Sequence, residues 1–281
     1  ITPEATNFNL SEEGESQIFY FEVKPPERAD ESILKVNISS EGKTFSQEVV
    51  RIDYEHIPLQ TLTIPAESKL VKLEIDKKGE NIGYIEGAGD VVPESLEQIG
   101  YNVSILDPKE MSENSLSGFD AVVLGIRAYN TVEELKYKQK ELLDYVKNGG
   151  TLIVQYNVNR RLVTNSIAPF ELNISRERVT EEDAEVRFLA PEHPVLNSPN
   201  KITEEDFEGW VQERGLYFAD SWGTEFKTIL SMNDENEAAK DGSLLIAEYG
   251  KGHFVYTGIS FFRQFPEGVP GAFRLFANLV S

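Results

Sequence analysis

Residues Phe119-Asp120-Ala121-Val122-Val123-Leu124-Gly125-Ile126 form an apolar run with no polar residue after Asp120. A strand with one wet face alternates polar and apolar residues. An unbroken run is what a strand covered on both faces needs. The same grammar repeats on either side. Upstream, residues 81–85 are a short apolar strand ending in Glu86-Gly87-Ala88-Gly89-Asp90. Residues 93–99 read as a helix with Pro93 near its start and Gly100 as its stop, and 103–106 as a second strand. Downstream, residues 133–147 place Leu135, Leu142, Leu143 and Val146 at helical spacing before Asn148-Gly149-Gly150, and 151–156 are another buried strand. Such alternation predicts right-handed crossovers and a parallel, doubly wound sheet of flavodoxin-like type. Residues 244–248 and 253–258 read as a strand pair around Gly250-Lys251-Gly252, and 271–280 as a terminal helix facing the sheet through Phe273, Phe276 and Leu279.

The first 78 residues follow another rule. Phe19, Phe21 and Val23 alternate with other residues, as do Leu34, Val36 and Ile38; Val50, Ile52 and Tyr54; Leu62 and Ile64; and Val71, Leu73 and Ile75. Pro25-Pro26, Glu41-Gly42 and Pro65 lie between these runs, and no helical period occurs. The expectation is an antiparallel β-sandwich of immunoglobulin type over 1–78, incomplete at its start, followed by an α/β domain over 79–281. The opening Ile1-Thr2-Pro3 reads as the start of a piece of a longer chain.

Composition removes several functions. The net charge is −21, from 48 acidic and 27 basic residues, and neither half supplies the excess alone. That sign argues against nucleic acid, whose affinity comes from Lys and Arg on phosphates, and against anionic lipid surfaces. No window approaches a membrane span, so no membrane insertion is expected. The chain has no cysteine, hence no disulfide, thiolate metal site or thiol nucleophile.

Ligands of open parallel sheets bind beyond the carboxyl ends of the strands. That rule selects the loops 86–90, 127–131 and 155–161 and the stretch around His193. Gly87-Ala88-Gly89-Asp90 is too short for a dinucleotide fingerprint, and either a tight turn or a phosphate or sugar contact suits it. Arg127-Ala128-Tyr129-Asn130-Thr131 suits an anion or a sugar, or equally a helix cap with Arg127 in an ion pair. Gln155, Asn157, Asn159, Arg160 and Arg161 form the third cluster. His193 is the histidine singled out as a site candidate, with a hydrogen-bonded loop histidine as its alternative; His56 and His253 read as structural or surface residues. Asp206-Phe207-Glu208-Gly209-Trp210 mixes carboxylates and an aromatic, a combination common both in sugar sites and in ordinary loops. No G-x-S-x-G elbow and no helical His pair occurs, so neither a catalytic residue nor a metal or cofactor is expected.

The succession YIEGAGDVVPESLEQIGYNV, FDAVVLGIRAYNT, VKNGGTLIVQYN, APEHPVLN and YGKGHFVYTG resembles the class I glutamine amidotransferase-like domains of the ThuA group. In that fold the nucleophile elbow follows the strand corresponding to 151–156, so it falls near Gln155, Tyr156 or Asn157. None is a cysteine, and the His-then-Glu pair expected downstream is missing, so the resemblance implies the fold without the chemistry. GIRAYNT, VQYNVNRRLVT, EGWVQERGLYF and FFRQFPEGVPGAFRLFANL look like the C-terminal part of large bacterial PIG-L (LmbE-like) deacetylases. The resemblance implies an extracytoplasmic parent whose N-terminal zinc domain deacetylates N-acetylglucosaminyl groups through an Ala-His-Pro-Asp-Asp motif. Here the lone His-Pro, His193-Pro194, is followed by Val195.

Three functions follow as expectations. One is a non-catalytic accessory region of a sugar deacetylase, either mediating assembly as a scaffold or taking a glycan or amino sugar in a crevice of Glu86, Asp90, Arg127, Tyr129, Asn130, Gln155, Asn157, Arg160 and His193, with the deacetylase domain as its partner. Another is a stand-alone carbohydrate hydrolase using His193 and nearby carboxylates, with or without a metal. The third is a structural spacer that binds no small molecule.

Overall fold

In a computed structural model the chain divides into two units, Ile1–Glu74 and Ile75–Ser281. All 281 residues are described, apart from the side chain of Glu113.

The first unit holds three separate two-stranded antiparallel ladders: Asp30–Lys35 with Glu67–Lys72, Ile38–Ser40 with Lys43–Phe45, and Gln47–Ile52 with Gln60–Pro65. The expected run around Phe19–Val23 is extended coil touching the chain start through one bridge, Thr2 to Glu22. No residue of this unit is buried; Leu34 and Val50 reach only intermediate exposure, and Ile18 and Tyr20 are largely open. Two packed sheets would bury every second residue on their inner faces. The immunoglobulin-like sandwich expected from the alternation is therefore not seen. Period two tells which residues share a face, not whether a second sheet covers it.

The second unit is built on one seven-stranded, mostly parallel sheet, labelled here in chain order: β1 (Asn81–Ile85), β2 (Asn102–Ile105), β3 (Ala121–Leu124), β4 (Thr151–Gln155), β5 (Phe226–Thr228), β6 (Leu244–Tyr249) and β7 (Gly252–Thr257). Their spatial order is β5-β6-β7-β4-β3-β1-β2. The five strands from β7 to β2 run parallel, and β6 runs antiparallel to β7 and to β5. This is a mixed α/β domain with a flavodoxin-like strand order, its topological switch lying between β1 and β3.

Helix α1 (Val92–Gln98) follows β1, α2 (Leu135–Lys147) lies between β3 and β4, and α3 (Pro270–Val280) ends the chain. The apolar stripe of α2, Leu135, Leu142, Tyr145 and Val146, packs with Leu124, Val154 and Tyr256 in one buried core. Alternate strand positions such as Tyr84 and Ile153 turn to the other face. The α3 helix is anchored by aromatic contacts, Phe276 on Phe261 and Phe273 on Phe265, with centroids 5.0 and 4.5 Å apart. Residues between β4 and β6 add three small ladders, among them Leu172–Ile174 with Ala219–Trp222 and Val186–Phe188 with Leu230–Met232.

A buried polar knot fixes α3. Asn278 accepts from Asn200 N at 2.9 Å and donates to the carbonyls of Val195 and Asn200, each at 2.8 Å. Asn200 in turn donates to the Asp76 carbonyl at 2.8 Å and accepts from Asp76 N at 2.9 Å. Both side chains are almost wholly buried, so removing one strands several backbone groups. Asn278→Ala is expected to lower the stability of the chain by about 2–4 kcal/mol in urea denaturation.

Candidate functional site

The loops beyond β1 and β3 are drawn together at the switch point. Gly87 lies so close to β3's loop that a Cβ there would sit 2.1 Å from the Ile126 carbonyl oxygen. At Gly125 a Cβ would sit 2.8 Å from the Tyr84 hydroxyl. Its absence lets that hydroxyl reach across β3 to Gln155 of β4, whose Nε2 donates to it at 3.1 Å.

Asp90 locks the junction. Its carboxylate accepts from Tyr84 Oη at 2.7 and 2.9 Å, from Val92 N at 3.0 Å and from Ile126 N at 3.2 Å. One side chain thus joins β1, the first turn of α1 and the loop after β3. Burial, followed by the charge of Asp90, pushes the Tyr84 phenol far above its ordinary pKa, which keeps it a neutral donor.

The other residues named from sequence are placed as follows. Asn157 is fully buried; it accepts from Tyr129 N at 2.9 Å and donates to the Gln155 carbonyl at 2.9 Å. Asn130 donates to the carbonyls of Val158 and Arg160 and accepts from Val158 N. These two amides shape the loop after β4 and do not present themselves to a ligand. Tyr129 faces the core, fully buried, and its hydroxyl donates to Gln139 at 2.6 Å. Gln155 is 1% exposed, and its Oε1 is buried without a partner among the described residues. Glu86 and Arg160 are exposed on the rim. Asp206, in the carboxylate–aromatic motif, caps its own turn and pairs with Arg274 Nε at 2.7 Å, while Trp210 donates to the Asp206 carbonyl.

Around Tyr156 the structure assembles a cluster that the sequence reading largely missed. Tyr156 leaves β4 and is 8% exposed. Its ring lies parallel to Tyr217, with 5.9 Å between centroids, and 5.3 Å from Phe262. The Arg263 guanidinium lies over the Phe262 ring at 4.9 Å and bonds Glu213 at 2.6 Å. Burial raises the Tyr156 pKa, and the nearby Arg127 and Arg263 pull against that rise. Arg127 Nε is buried without a partner among the described residues.

Three non-glycine residues here, Arg127, Gln212 and Tyr217, adopt left-handed backbone at φ 58°, 66° and 53°. Such conformations cost free energy and persist only where the surroundings enforce them. The left-handed residue of a strand–turn–helix junction therefore follows β3, at Arg127, and none of residues 155–157 has positive φ. The elbow expected after β4 is absent in geometry as well as in residue type.

His193 is not in this crevice. It caps the short turn Pro194–Leu196, its Nδ1 accepting from Val195 N at 3.2 Å. It lines a cavity with Thr151 and His253, the first-end residues of β4 and β7, at the opposite end of the sheet. Desolvation, then the neighbouring His253 and Lys227, lower its pKa. Among the described residues no group of three or more His, Asp or Glu is arranged to hold a metal ion, and no helix is long and apolar enough to cross a membrane.

No family model and no curated protein matches this chain in sequence. Solved structures resemble it in fold at low identity. A cytoplasmic protein of Salmonella typhimurium is 14% identical at a TM-score of 0.47, with 89% of this chain and 94% of that one covered. A GMP synthase component from Thermoplasma acidophilum is 12% identical at 0.46, covering 73% and 96%. A ThuA-like protein of Bacteroides uniformis is 13% identical at 0.42, covering 71% and 89%.

Two outcomes are expected. Asp90→Ala should cost about 2–4 kcal/mol in chemical denaturation, since it leaves two backbone N–H groups and the Tyr84 hydroxyl without their acceptor. For His193 the folded pKa lies below the unfolded one, so the unfolded chain binds more protons as pH falls. Its contribution is complete above about pH 6.5 and is lost as pH drops through the folded value. His193→Asn, which keeps a cap acceptor, should therefore lose less stability than wild type between neutral and mildly acidic pH, as measured by denaturation at each pH.

Proposed function

We propose that the α/β unit is a non-catalytic ligand-binding region that takes a glycan or amino sugar at the carboxyl ends of β3, β4 and β7. The observation that carries this reading is the aromatic and guanidinium cluster of Tyr156, Tyr217, Phe262, Arg263 and Arg127, held partly in left-handed backbone. Aromatic faces stack on the apolar face of a pyranose ring, and guanidinium groups supply fixed donors to its hydroxyls or acidic substituents. Glu86 and Arg160 on the rim extend the polar contact.

Binding without turnover is supported by what stands where the fold's nucleophile belongs. Gln155 and Asn157 are amides spent on internal hydrogen bonds, and the phenol of Tyr156 is shifted away from ionisation at neutral pH. The reading extends to an accessory role in an extracytoplasmic PIG-L-type deacetylase, supported by the resemblance of GIRAYNT and EGWVQERGLYF to the C-terminal parts of such proteins. The partner is then the zinc-dependent domain of the parent chain.

Thermal-shift titration with N-acetylglucosamine, glucosamine and short chitooligosaccharides tests the reading. Binding to the folded state raises the melting temperature by mass action. Arg127→Ala and Tyr217→Ala should each weaken a sugar-induced shift by about tenfold, while Asn159→Ala should not. Shifts unaffected by both substitutions, or no shift with any sugar, would overturn it.

A further inference from the structure

The cavity beside His193 has a volume of about 560 Å³, within the size range of small-molecule sites. It lies at the amino ends of β4 and β7, away from the crevice. Its floor is apolar, with Ile246 and Val255 from the sheet and Leu279 from α3. Its charged groups sit around that floor in two signs. Glu248 is the cross-strand partner of His253, and Glu225 comes alongside Glu248, one step beyond the Phe226–Ala247 pair. Carboxylates side by side on adjacent strands repel each other. Yet neither Glu225 nor Glu248 has an ion-pair partner within 4 Å among the described residues.

Positive charge is present in the same cavity and is not used to relieve them. Lys227, two residues after Glu225, has no ion-pair partner within 4 Å among the described residues either, and Lys78 donates to Ser198 Oγ at 2.8 Å. A cavity that held only water would gain by closing these charges onto one another. Held apart over an apolar floor, they match a ligand that carries both signs itself.

We propose that this cavity binds a small zwitterion with an aliphatic body: its ammonium between Glu225 and Glu248, its carboxylate toward Lys227 and Lys78, and its apolar part on Ile246 and Val255. The imidazole of His193 keeps Nδ1 as an acceptor for Val195 N, so its remaining donor, Nε2–H, is left for the ligand's carboxylate. An aliphatic α-amino acid has this chemistry. The site is separate from the crevice and does not depend on the sugar reading.

Isothermal titration of the full chain with L-leucine, leucinamide and isocaproate tests it, since the last two each lack one of the charges. L-Leucine should bind in the millimolar range or tighter, and both analogues should bind at least about tenfold more weakly, as loss of a charge-assisted hydrogen bond implies. Glu248→Gln and Lys227→Met should each weaken leucine by a similar factor, with no loss of melting temperature in the free protein because both side chains are exposed. Arg127→Ala should leave leucine binding intact. Absence of leucine binding, equal binding of all three probes, or indifference to Glu248→Gln and Lys227→Met would each overturn the proposal.

Discussion

The Asp90 carboxylate is the constraint on which the upper end of the α/β unit depends. A doubly wound sheet opens at its switch point because the connections leaving the neighbouring strands β1 and β3 turn to opposite faces of the sheet. Something must hold the two loops there at a fixed distance. Asp90, itself in the first loop, does so by accepting hydrogen bonds from Tyr84 of β1, from the start of α1 and from the loop after β3. Its bond to Tyr84 carries the restraint on to Gln155 of β4. The two close approaches at Gly87 and Gly125 are the steric counterpart of this polar chain. Without them the loops could not come near enough for a single side chain to bridge them.

Much of this was legible in the residues alone. Buried strands such as Ala121–Leu124 and Thr151–Gln155 are written as continuous apolar runs, and α2 as a periodic stripe, because burial on both faces or on one stripe leaves little choice of residue. The carboxyl-end rule also found Asp90, Arg127, Asn130, Gln155 and Asn157. It could not say which way short polar side chains turn. Asn130 and Asn157 turn inward because unpaired backbone groups of the loop compete for their amides, and Gln155 turns inward to the Tyr84 hydroxyl. Tyr129 was misjudged for a related reason: one turn of helix after β3 rotates it from the crevice into the core.

The fourth loop was misassigned. The rule applied to the strand Gly252–Thr257 selects the residues just beyond it, including Phe262 and Arg263, and not the stretch around His193. Tyr217 and Glu213 had no comparable signal. They arrive from an insertion between β4 and β5, and only the completed fold brings them beside Tyr156. In the first unit, alternation located paired segments such as Gln47–Ile52 but said nothing of what would cover them.

The reversal of β6 between β5 and β7 has a further consequence. A hairpin at the edge of a parallel sheet lets charged side chains such as Glu248 sit next to the beginning of a parallel strand, where a crossover helix would otherwise arrive. One strand, β4, then has a residue of the cavity at its start and a residue of the crevice network at its finish. A hydrogen-bonded strand flanked on both sides transmits little deformation along its length. The two ends can therefore be altered by substitution independently, one changing its recognition chemistry while the other keeps its own.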